Sequence, residues 1–285
     1  MELRFLLEQL RDTLREAYVK FLFWNVGGRT VDKEIIALVA DERPDFLVLA
    51  EYKTSTIDLL RSMVAAGIHF YLIPSIACDR ITIYSNIVPN HIHHRREASR
   101  FTIKEIRSTG TKPILLCLVH LLSKLHASDD DQLYGAISLK NAIEKAETEA
   151  GHKNTIVFGD FNMNPFDKGM LFAAALNAIS CLRTAERESR MVQGQVQNLF
   201  YNPTWNLLGD FIEGPGTYFH KSPSSLSLYW NMLDQVIMRP ELARGLDRDS
   251  LKIIRAAGGT SFITDEGLPS VSDHLPIVFS IDIPC

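Results

Sequence analysis

Residues 154–162 read NTIVFGDFN, an apolar run that stops abruptly at Asp160 and Asn162. A short run of β-branched and aromatic residues is typical of a buried β-strand, and Gly159 tolerates backbone conformations that other residues avoid. Polar side chains fit poorly in a core, but ligands of open α/β sheets bind just beyond the strand ends. The stretch therefore predicts a central strand with a functional site at its end, although a tight turn around Asp160 would explain the same residues.

The same design recurs along the chain. Three further apolar runs, each ending in a polar residue, are VKFLFWN at 19–25, DFLVLAE at 45–51 and PILLCLVH at 113–120, which end in Asn25, Glu51 and His120. Ser272, Asp273 and His274 directly precede another run at 275–282. If these ends meet, they build a pocket of carboxylates, amides and imidazoles. Such ligands suit Mg²⁺, Mn²⁺ or Ca²⁺, whereas the lack of thiolates disfavours zinc.

Helical patterns separate these strands. Periodic apolar positions predict helices at 2–18, 31–40, 55–66, 129–150 and 167–178, and additional strands are predicted at 69–73, 81–85, 101–107 and 230–238. Strands interleaved with helices, without a repeat or linker, indicate a mixed-sheet α/β domain over 19–285. Residues 1–18 are expected to form an amphipathic helix that packs on this domain, or that recruits a protein partner.

The composition is that of an ordinary globular protein. The chain has 285 residues, is 46% hydrophobic, and carries a net charge of -4 from 30 basic and 34 acidic residues. This balance argues against nucleic-acid binding through bulk positive charge, but it leaves room for a local basic groove or a metal ion. Four scattered cysteines indicate neither a zinc site nor a disulfide framework. With no long apolar segment and no signal peptide, we expect a cytoplasmic protein without an integral membrane segment.

Six short motifs in order point to a family. They are FWN at 23–25, LAE at 49–51, LVH at 118–120, GDFN at 159–162, LDQV at 233–236 and SDHLP at 272–276. Together they resemble the endonuclease/exonuclease/phosphatase superfamily, also called DNase I-like, over about residues 19–283. The resemblance implies a four-layer α-β-β-α sandwich, in which two mixed β-sheets are flanked by helices and the site lies at one edge.

The resemblance also implies a divalent metal. Glu51 would be the principal Mg²⁺ ligand, and Asn25 and Asp273 would help to hold the ion or its waters. Mn²⁺ or Ca²⁺ would be possible substitutes. A metal suits this chemistry because it neutralises the charge that develops when water attacks an anionic phosphodiester.

Five other residues would carry the reaction itself. By resemblance, Asp160 would orient and deprotonate the attacking water, and Asn162 would donate to the phosphoryl oxygens. His274, oriented by Asp234, would bind the phosphate. His120 matches the histidine that assists the leaving group in the DNase and sphingomyelinase branches. The expected activity is metal-dependent hydrolysis of phosphodiesters.

The substrate class stays open between alternatives. The leading hypothesis is a nuclease that cleaves DNA or RNA, and the alternative is a phosphoesterase acting on inositol-phosphate or phospholipid headgroups. The inositol 5-phosphatase branch usually has Trp-Cys-Asp-Arg where this chain has MLDQ at 232–235, and an arginine in place of Asn164. The abasic-endonuclease branch usually lacks a histidine at the position of His120. An inactive binding module is disfavoured, because all the expected polar positions are present.

Substrate contacts are predicted from composition. Arg95 and Arg96, in the basic stretch after Asn90, are candidates for phosphate contacts, with a solvated loop as the alternative. A metal site formed by His91, His93 and His94 is a weaker alternative for the same stretch. Trp205 and Tyr218 are candidates for stacking on a base. The polar segments 182–198 and 220–228 are predicted to be substrate-facing loops.

Overall fold

The computed structural model describes residues 18–107, 110–125, 127–210, 215–221 and 227–283. The helix predicted at 2–18 lies outside these residues, except that Tyr18 already belongs to the first strand. No helix within the described ranges is long and apolar enough to cross a membrane.

The described chain forms many short strands and a few helices. In chain order the strands are β1 (Tyr18–Asn25), β2 (Phe46–Ala50), β3 (Tyr71–Ile73), β4 (Ile81–Ser85), β5 (Ile92–Ala98), β6 (Phe101–Ile106), β7 (Ile114–His120), β8 (Thr155–Asp160), β9 (Ala178–Ile179), β10 (Ser189–Val192), β11 (Gln195–Asn198), β12 (Phe200–Tyr201), β13 (Tyr218–Phe219), β14 (Trp230–Asn231), β15 (Asp234–Met238), β16 (Leu246–Ile253), β17 (Ala256–Ala257), β18 (Thr260–Ser261) and β19 (Ile277–Asp282). The α-helices are α1 (Asp32–Glu42), α2 (Thr56–Ala65), α3 (Asp129–Ala150), α4 (Lys168–Leu171), α5 (Leu182–Ala185) and α6 (Pro240–Ala243), and the 3₁₀ helices are Pro89–His91 and Pro203–Leu207.

Most of these strands belong to two large sheets. The first has the order β16-β19-β1-β2-β4-β3, and the second has the order β5-β6-β7-β8-β15-β12-β9. Both sheets are mixed, because β1 and β2 run parallel in the first, and β7 and β8 run parallel in the second. The remaining pairings are mainly antiparallel, and β10-β11, β13-β14 and β17-β18 form separate two-stranded sheets.

The two sheets pack face to face through aromatic side chains. The ring centroid of Phe158 on β8 lies 5.5 Å from that of Phe21 on β1 and 5.3 Å from that of Phe279 on β19. Full burial of each such ring stabilises the fold by roughly 1.5–3 kcal/mol. Helices α1 and α2 cover the first sheet, and α3 covers the second through a separate apolar cluster. The predicted four-layer α-β-β-α sandwich is therefore confirmed.

Helix α3 spans the predicted residues 129–150 because its ends are well defined in the sequence. Ser128 accepts a hydrogen bond from the backbone N–H of Asp131, whose carboxylate accepts one in return from the backbone of Ser128. Three aspartates in the first turn interact favourably with the helix dipole. Gly151, with φ of 76°, ends the helix in the left-handed conformation.

Other predicted elements differ from the observed ones. The helix expected at 167–178 ends at Leu171, because Phe172 adopts an extended conformation. The strand expected at 230–238 is split into β14 and β15. The basic stretch around Arg95 is the edge strand β5 rather than a loop. Segment 182–198 is likewise not irregular, since it contains α5 and the hairpin β10-β11.

Candidate active site

Three neighbouring strands of the second sheet bring His120, Asp160 and Asp234 side by side. His120 ends β7 opposite Asp160 at the end of β8, and Asp160 in turn lies opposite Asp234 at the start of β15. Gly159 makes this approach possible: its φ is 139°, and a Cβ atom there would lie 2.1 Å from the carbonyl oxygen of Val119. The glycine of the GDFN motif is therefore required by the close contact between β7 and β8.

The first sheet contributes Asn25 and Glu51 to the same place. Asn25 ends β1, and its Nδ2 donates a hydrogen bond of 2.9 Å to Oδ2 of Asp160. Glu51 directly follows β2, and its Oε1 lies 3.4 Å from Nε2 of His120, which is itself 3.7 Å from Oδ2 of Asp160. The site therefore bridges the two sheets at one edge of the sandwich, as predicted from the strand ends.

Asp160 is a buried carboxylate held in a fixed orientation. Its Oδ1 accepts from the backbone N–H of Asn162 at 2.8 Å, and its Oδ2 accepts from Asn162 Nδ2 at 3.0 Å. Burial, followed by the neighbouring charge of Asp234, raises the pKa of Asp160 to about 6. A carboxylate with such a pKa is ionised at neutral pH and is still basic enough to accept a proton.

His274 forms the second buried charge of the site. Its Nδ1 lies 2.8 Å from Oδ2 of Asp234, and its backbone carbonyl accepts a hydrogen bond of 2.9 Å from Nε1 of Trp24. Burial opposes protonation, but the charge and hydrogen bond of Asp234 outweigh it and raise the pKa of His274 to about 10. His274 is therefore an imidazolium at neutral pH. The ring of Tyr218 covers it, with ring centroids 4.7 Å apart.

Asp273 lies beside Asn25 at the exposed rim of the site. Ser272 Oγ donates to the backbone carbonyl of Asn25 at 2.9 Å and also lies 3.2 Å from Oδ1 of Asp273. The carboxylate of Asp273 packs directly over Gly27, where a Cβ atom would lie 2.5 Å from Oδ1. Gly27 was not predicted as a site residue. The sequence pattern, a polar residue at the end of an apolar strand, indicated only Asn25, two residues earlier.

The donor set fits a hard divalent cation. A hydrogen bond from His120 lowers the pKa of Glu51 to about 2 despite partial burial, so that this half-exposed carboxylate is ionised and can bind a cation. Among the described residues, the one compact group of potential ligands is Asp160, Asp234 and His274, whose ligand atoms lie within 4.8 Å of one another. Nδ1 of His274 is engaged by Asp234, so that this ring nitrogen is not available to a metal. Oδ1 of Asp234 lacks a hydrogen-bond partner within the described chain.

Two site residues adopt an uncommon backbone conformation. Glu51 has φ of 53° and Asn162 has φ of 52°, both in the left-handed region. Asparagine tolerates this conformation, but for glutamate it is unfavourable. Such conformations concentrate at functional sites, where the surrounding structure imposes them.

The structure does not bring Arg95 and Arg96 to this site. Both lie on the edge strand β5, where Arg95 forms an ion pair with the buried Glu105 and Arg96 forms one with Glu149. Glu105 is paired with Leu115, near the start of β7 and thus far along the strand from His120. The charges of both arginines are thus neutralised by carboxylates of the protein rather than directed at the site.

The neighbouring histidines do not assemble a metal site within the described ranges. His91 Nδ1 bonds the carbonyl oxygen of Arg107 at 2.8 Å, and His94 lies 3.7 Å from Glu97. His93 is exposed, and none of the three belongs to a group of potential ligands.

The predicted aromatic contacts have different positions. Tyr218 lies in the site against His274, and its hairpin β13-β14 flanks the predicted loop 220–228, of which residues 222–226 lie outside the described chain. Trp205 is half-buried and pairs with Phe166, with ring centroids 6.2 Å apart. Phe166, four residues after the GDFN motif, is 40% exposed and was not among the predicted contacts. Lys153, which precedes β8, donates a hydrogen bond to Asn198 at the base of hairpin β10-β11. Lys153 lies at one end of β8 and Asp160 lies at the other, so the base of this hairpin is at the end of β8 away from Asp160.

The comparisons with known proteins agree with this fold. The model of the Endonuclease/Exonuclease/phosphatase family matches residues 22–274. The chain belongs to this family and has the fold of its phosphodiesterases and phosphatases. No curated protein sequence matches it.

Solved structures are similar in fold at low sequence identity. D. rerio TDP2 complexed with single strand DNA product has a TM-score of 0.56 at 16% identity, covering 93% of this chain and 98% of that chain. The 3′ phosphatase NExo from Neisseria bound to product DNA hairpin has a TM-score of 0.56 at 16% identity, covering 93% and 99%. The human Nocturnin catalytic domain with bound sulfate anion has a TM-score of 0.51 at 14% identity, covering 93% and 94%.

Proposed function

We propose that this protein hydrolyses phosphodiester bonds of nucleic acid, DNA or RNA, in a reaction that depends on a divalent cation. One observation carries the proposal: a buried carboxylate, Asp160, lies among amide and imidazole groups within a few ångströms of a charged histidine, His274. A base beside a fixed positive charge is what water attack on an anionic ester needs.

Asp160 is the proposed general base. Three hydrogen bonds from Asn25 and Asn162 fix its orientation, and its raised pKa of about 6 suits proton transfer from water near neutral pH. The proton of the attacking water moves to a carboxylate oxygen of Asp160. Both amide hydrogens of Asn162 are already used, one toward Asp160 and one toward the carbonyl of Leu121 at 3.1 Å. In this state Asn162 is therefore a positioning residue rather than a phosphate donor.

His274 is the proposed phosphate-binding group. Its Nδ1 is committed to Asp234, so that Nε2 remains to donate a charged hydrogen bond to a phosphoryl oxygen. The interaction strengthens as negative charge builds on the phosphoryl group in the transition state. His120, whose Nε2 lies close to both Glu51 and Asp160, is the proposed group beside the leaving oxygen.

Glu51 is the proposed main ligand of the cation, with Asn25 Oδ1 and Asp273 beside it. When bound, a Mg²⁺ or Mn²⁺ ion would neutralise charge that develops on the phosphoryl group and the leaving oxygen. The donor set supports this assignment, because it consists of ionised carboxylate and amide oxygens near the exposed rim of the site.

Aromatic side chains near the site favour nucleic acid over a lipid headgroup. Tyr218 covers His274, and the half-exposed pair Phe166–Trp205 follows the end of β8, so that both offer faces on which bases could stack. The two similar structures that contain DNA, of TDP2 and NExo, support the same substrate class.

The proposed location remains cytoplasmic.

A cleavage panel tests the proposal. Single- and double-stranded DNA, RNA, phosphoinositides and sphingomyelin are each incubated with the protein and with Mg²⁺, Mn²⁺ or Ca²⁺ in turn. We expect nucleic-acid cleavage that EDTA abolishes, and that Asp160→Asn and His274→Ala each reduce by roughly 10²–10⁴-fold. Asp249→Asn, at an exposed position on β16, is the control that should retain activity. Headgroup hydrolysis without nucleic-acid cleavage, or full activity in EDTA, would overturn the proposal.

A further inference from the structure

Hydrogen bonds connect two segments beside the active site, one before β4 and the other between β5 and β6. Oε2 of Glu97 accepts hydrogen bonds of 2.8 Å and 2.9 Å from the backbone N–H groups of Ile76 and Ala77. Sγ of Cys78 lies 3.8 Å from the carbonyl oxygen of Ser99. The segment before β4 and the turn between β5 and β6 therefore form one supported surface.

This surface places Arg80 and Arg100 next to two active-site residues. The backbone N–H of Glu51 donates to the carbonyl of Arg80 at 3.3 Å, and the backbone N–H of His120 donates to the carbonyl of Arg100 at 2.9 Å. Each arginine is thus anchored through its own backbone to a strand end that carries a site side chain.

The charges of these two arginines are not neutralised by the described chain. Arg100 donates only to the carbonyl of Leu121, at 3.2 Å, and neither guanidinium forms an ion pair with a described residue. Partial burial and the charge of Arg80 lower the pKa of Arg100. The contrast with Arg95 and Arg239 is informative, since both of those are paired with buried carboxylates.

Two unneutralised guanidinium groups beside a phosphoesterase site call for an anionic ligand, because arginine binds phosphate oxygens through paired N–H donors. A cavity of about 170 Å³ borders Arg100 and is lined by Phe101, Leu121, Met163 and the exposed Tyr134. This cavity leaves room for a nucleobase next to the anion.

We propose that Arg80 and Arg100 form a second anion subsite, which binds the backbone phosphate next to the scissile one on the His120 side. The inference rests on the proposed nuclease function and deepens it, since it requires a substrate with at least two phosphates in sequence. Because His120 lies on the leaving-group side, the subsite holds the released strand.

The test compares two double variants with the same change in net charge. Arg80→Ala/Arg100→Ala removes the subsite, whereas Arg244→Ala/Arg248→Ala removes two exposed arginines distant from it. Hydrolysis is measured on an oligonucleotide and on bis(p-nitrophenyl) phosphate, which has a single phosphate. For the subsite variant we expect KM for the oligonucleotide to rise about tenfold or more, with hydrolysis of the small diester unchanged within about twofold. The control should match the wild type on both substrates.

Binding gives an independent readout. Oligonucleotide affinity, measured by fluorescence anisotropy in EDTA over a range of salt concentrations, should show a slope of log K against log salt that is smaller by about 0.7–0.9 in the subsite variant. The single variant Arg80→Ala, at an exposed side chain, should give a partial effect and guards against misfolding of the double variant.

The outcomes are separable. Equal losses on both substrates, or an unchanged salt slope, would overturn the subsite even if the protein is a nuclease. If the wild type hydrolyses only phosphoinositides, the polynucleotide assignment of the subsite is wrong. If the wild type cleaves none of the substrates with any divalent ion, the proposed function fails, while the salt slope still decides whether these arginines bind a polynucleotide.

Discussion

Replacing Gly159 with alanine is expected to destabilise the fold by about 2–6 kcal/mol. Its φ of 139° is a conformation that an alanine adopts only with strain, which contributes roughly 1–3 kcal/mol. The new Cβ atom would also lie 2.1 Å from the carbonyl oxygen of Val119 on β7, and relief of that overlap needs a movement of β7 relative to β8. Overpacking of this kind adds roughly 1–3 kcal/mol.

Gly135→Ala provides a matched control with the opposite expected sign. Gly135 lies within α3, its Cβ would meet nothing within 4 Å, and its backbone conformation is an ordinary helical one. The same chemical change there should stabilise the protein by up to about 1 kcal/mol, because alanine favours helix over glycine.

Chemical denaturation of the three proteins measures the differences in unfolding free energy, and thermal denaturation measures the corresponding shifts in Tm. In a domain of this size, where 1 kcal/mol corresponds to roughly 2 °C, we expect Gly159→Ala to lower Tm by about 4–12 °C, and Gly135→Ala to raise it slightly. Gly159→Ala should also reduce hydrolysis per folded molecule, because the movement displaces Asp160, the next residue. If Gly159→Ala proves as stable as Gly135→Ala, the close approach of β7 and β8 does not limit this position and the reasoning is refuted.

Three further perturbations probe the charges of the molecule. Asp234→Asn should lower the pKa of His274 from about 10 by roughly two units or more and reduce hydrolysis by about 10²-fold; an NMR titration of the imidazole that still gives a pKa near 10 would contradict the pairing. Hydrogen bonds from the backbone N–H of Ala77 and from Lys104 lower the pKa of Glu97 to about 2 in spite of burial. Its contribution to the unfolding free energy is therefore complete above its ordinary pKa of 4.5 and is lost as the pH falls toward 2. Denaturation at pH 6 and pH 3 should therefore show about 1–2 kcal/mol less acid destabilisation in Glu97→Gln, after allowance for solvent screening, and equal pH dependence in both proteins would count against this explanation. Glu51→Gln should raise the Mg²⁺ concentration for half-maximal hydrolysis roughly tenfold or more, and an unchanged Mg²⁺ requirement would move the cation away from Glu51.

The sequence predicts well those features that arise from local patterns. His120 and Asp160 were predicted as site residues because each is the polar residue at the end of an apolar strand, and such a residue lies at the edge of the sheet. Helix α3 was predicted at its observed bounds because Ser128 and Gly151 are strong local end signals. Parallel pairing then brings the strand ends together without further information.

Features that depend on tertiary context were predicted poorly. Strand β5 contains consecutive histidines and arginines instead of the usual alternation of apolar and polar residues. It forms because it pairs with β6 at the edge of the sheet, where charged side chains are common. Arg95 and Arg96 looked available for phosphate contacts, because their partners Glu105 and Glu149 are distant in the chain. Long-range proximity of this kind leaves no periodic pattern in the sequence.

The left-handed backbone at Glu51 has an evolutionary consequence. Glycine or asparagine would adopt φ of 53° with less strain than glutamate does, so that selection for thermal stability alone would replace this residue. A glutamate retained at this position lowers the stability of the fold but keeps the carboxylate that the proposed activity needs. In a laboratory selection for heat resistance without an activity screen, Glu51 should therefore be among the first site positions to be lost.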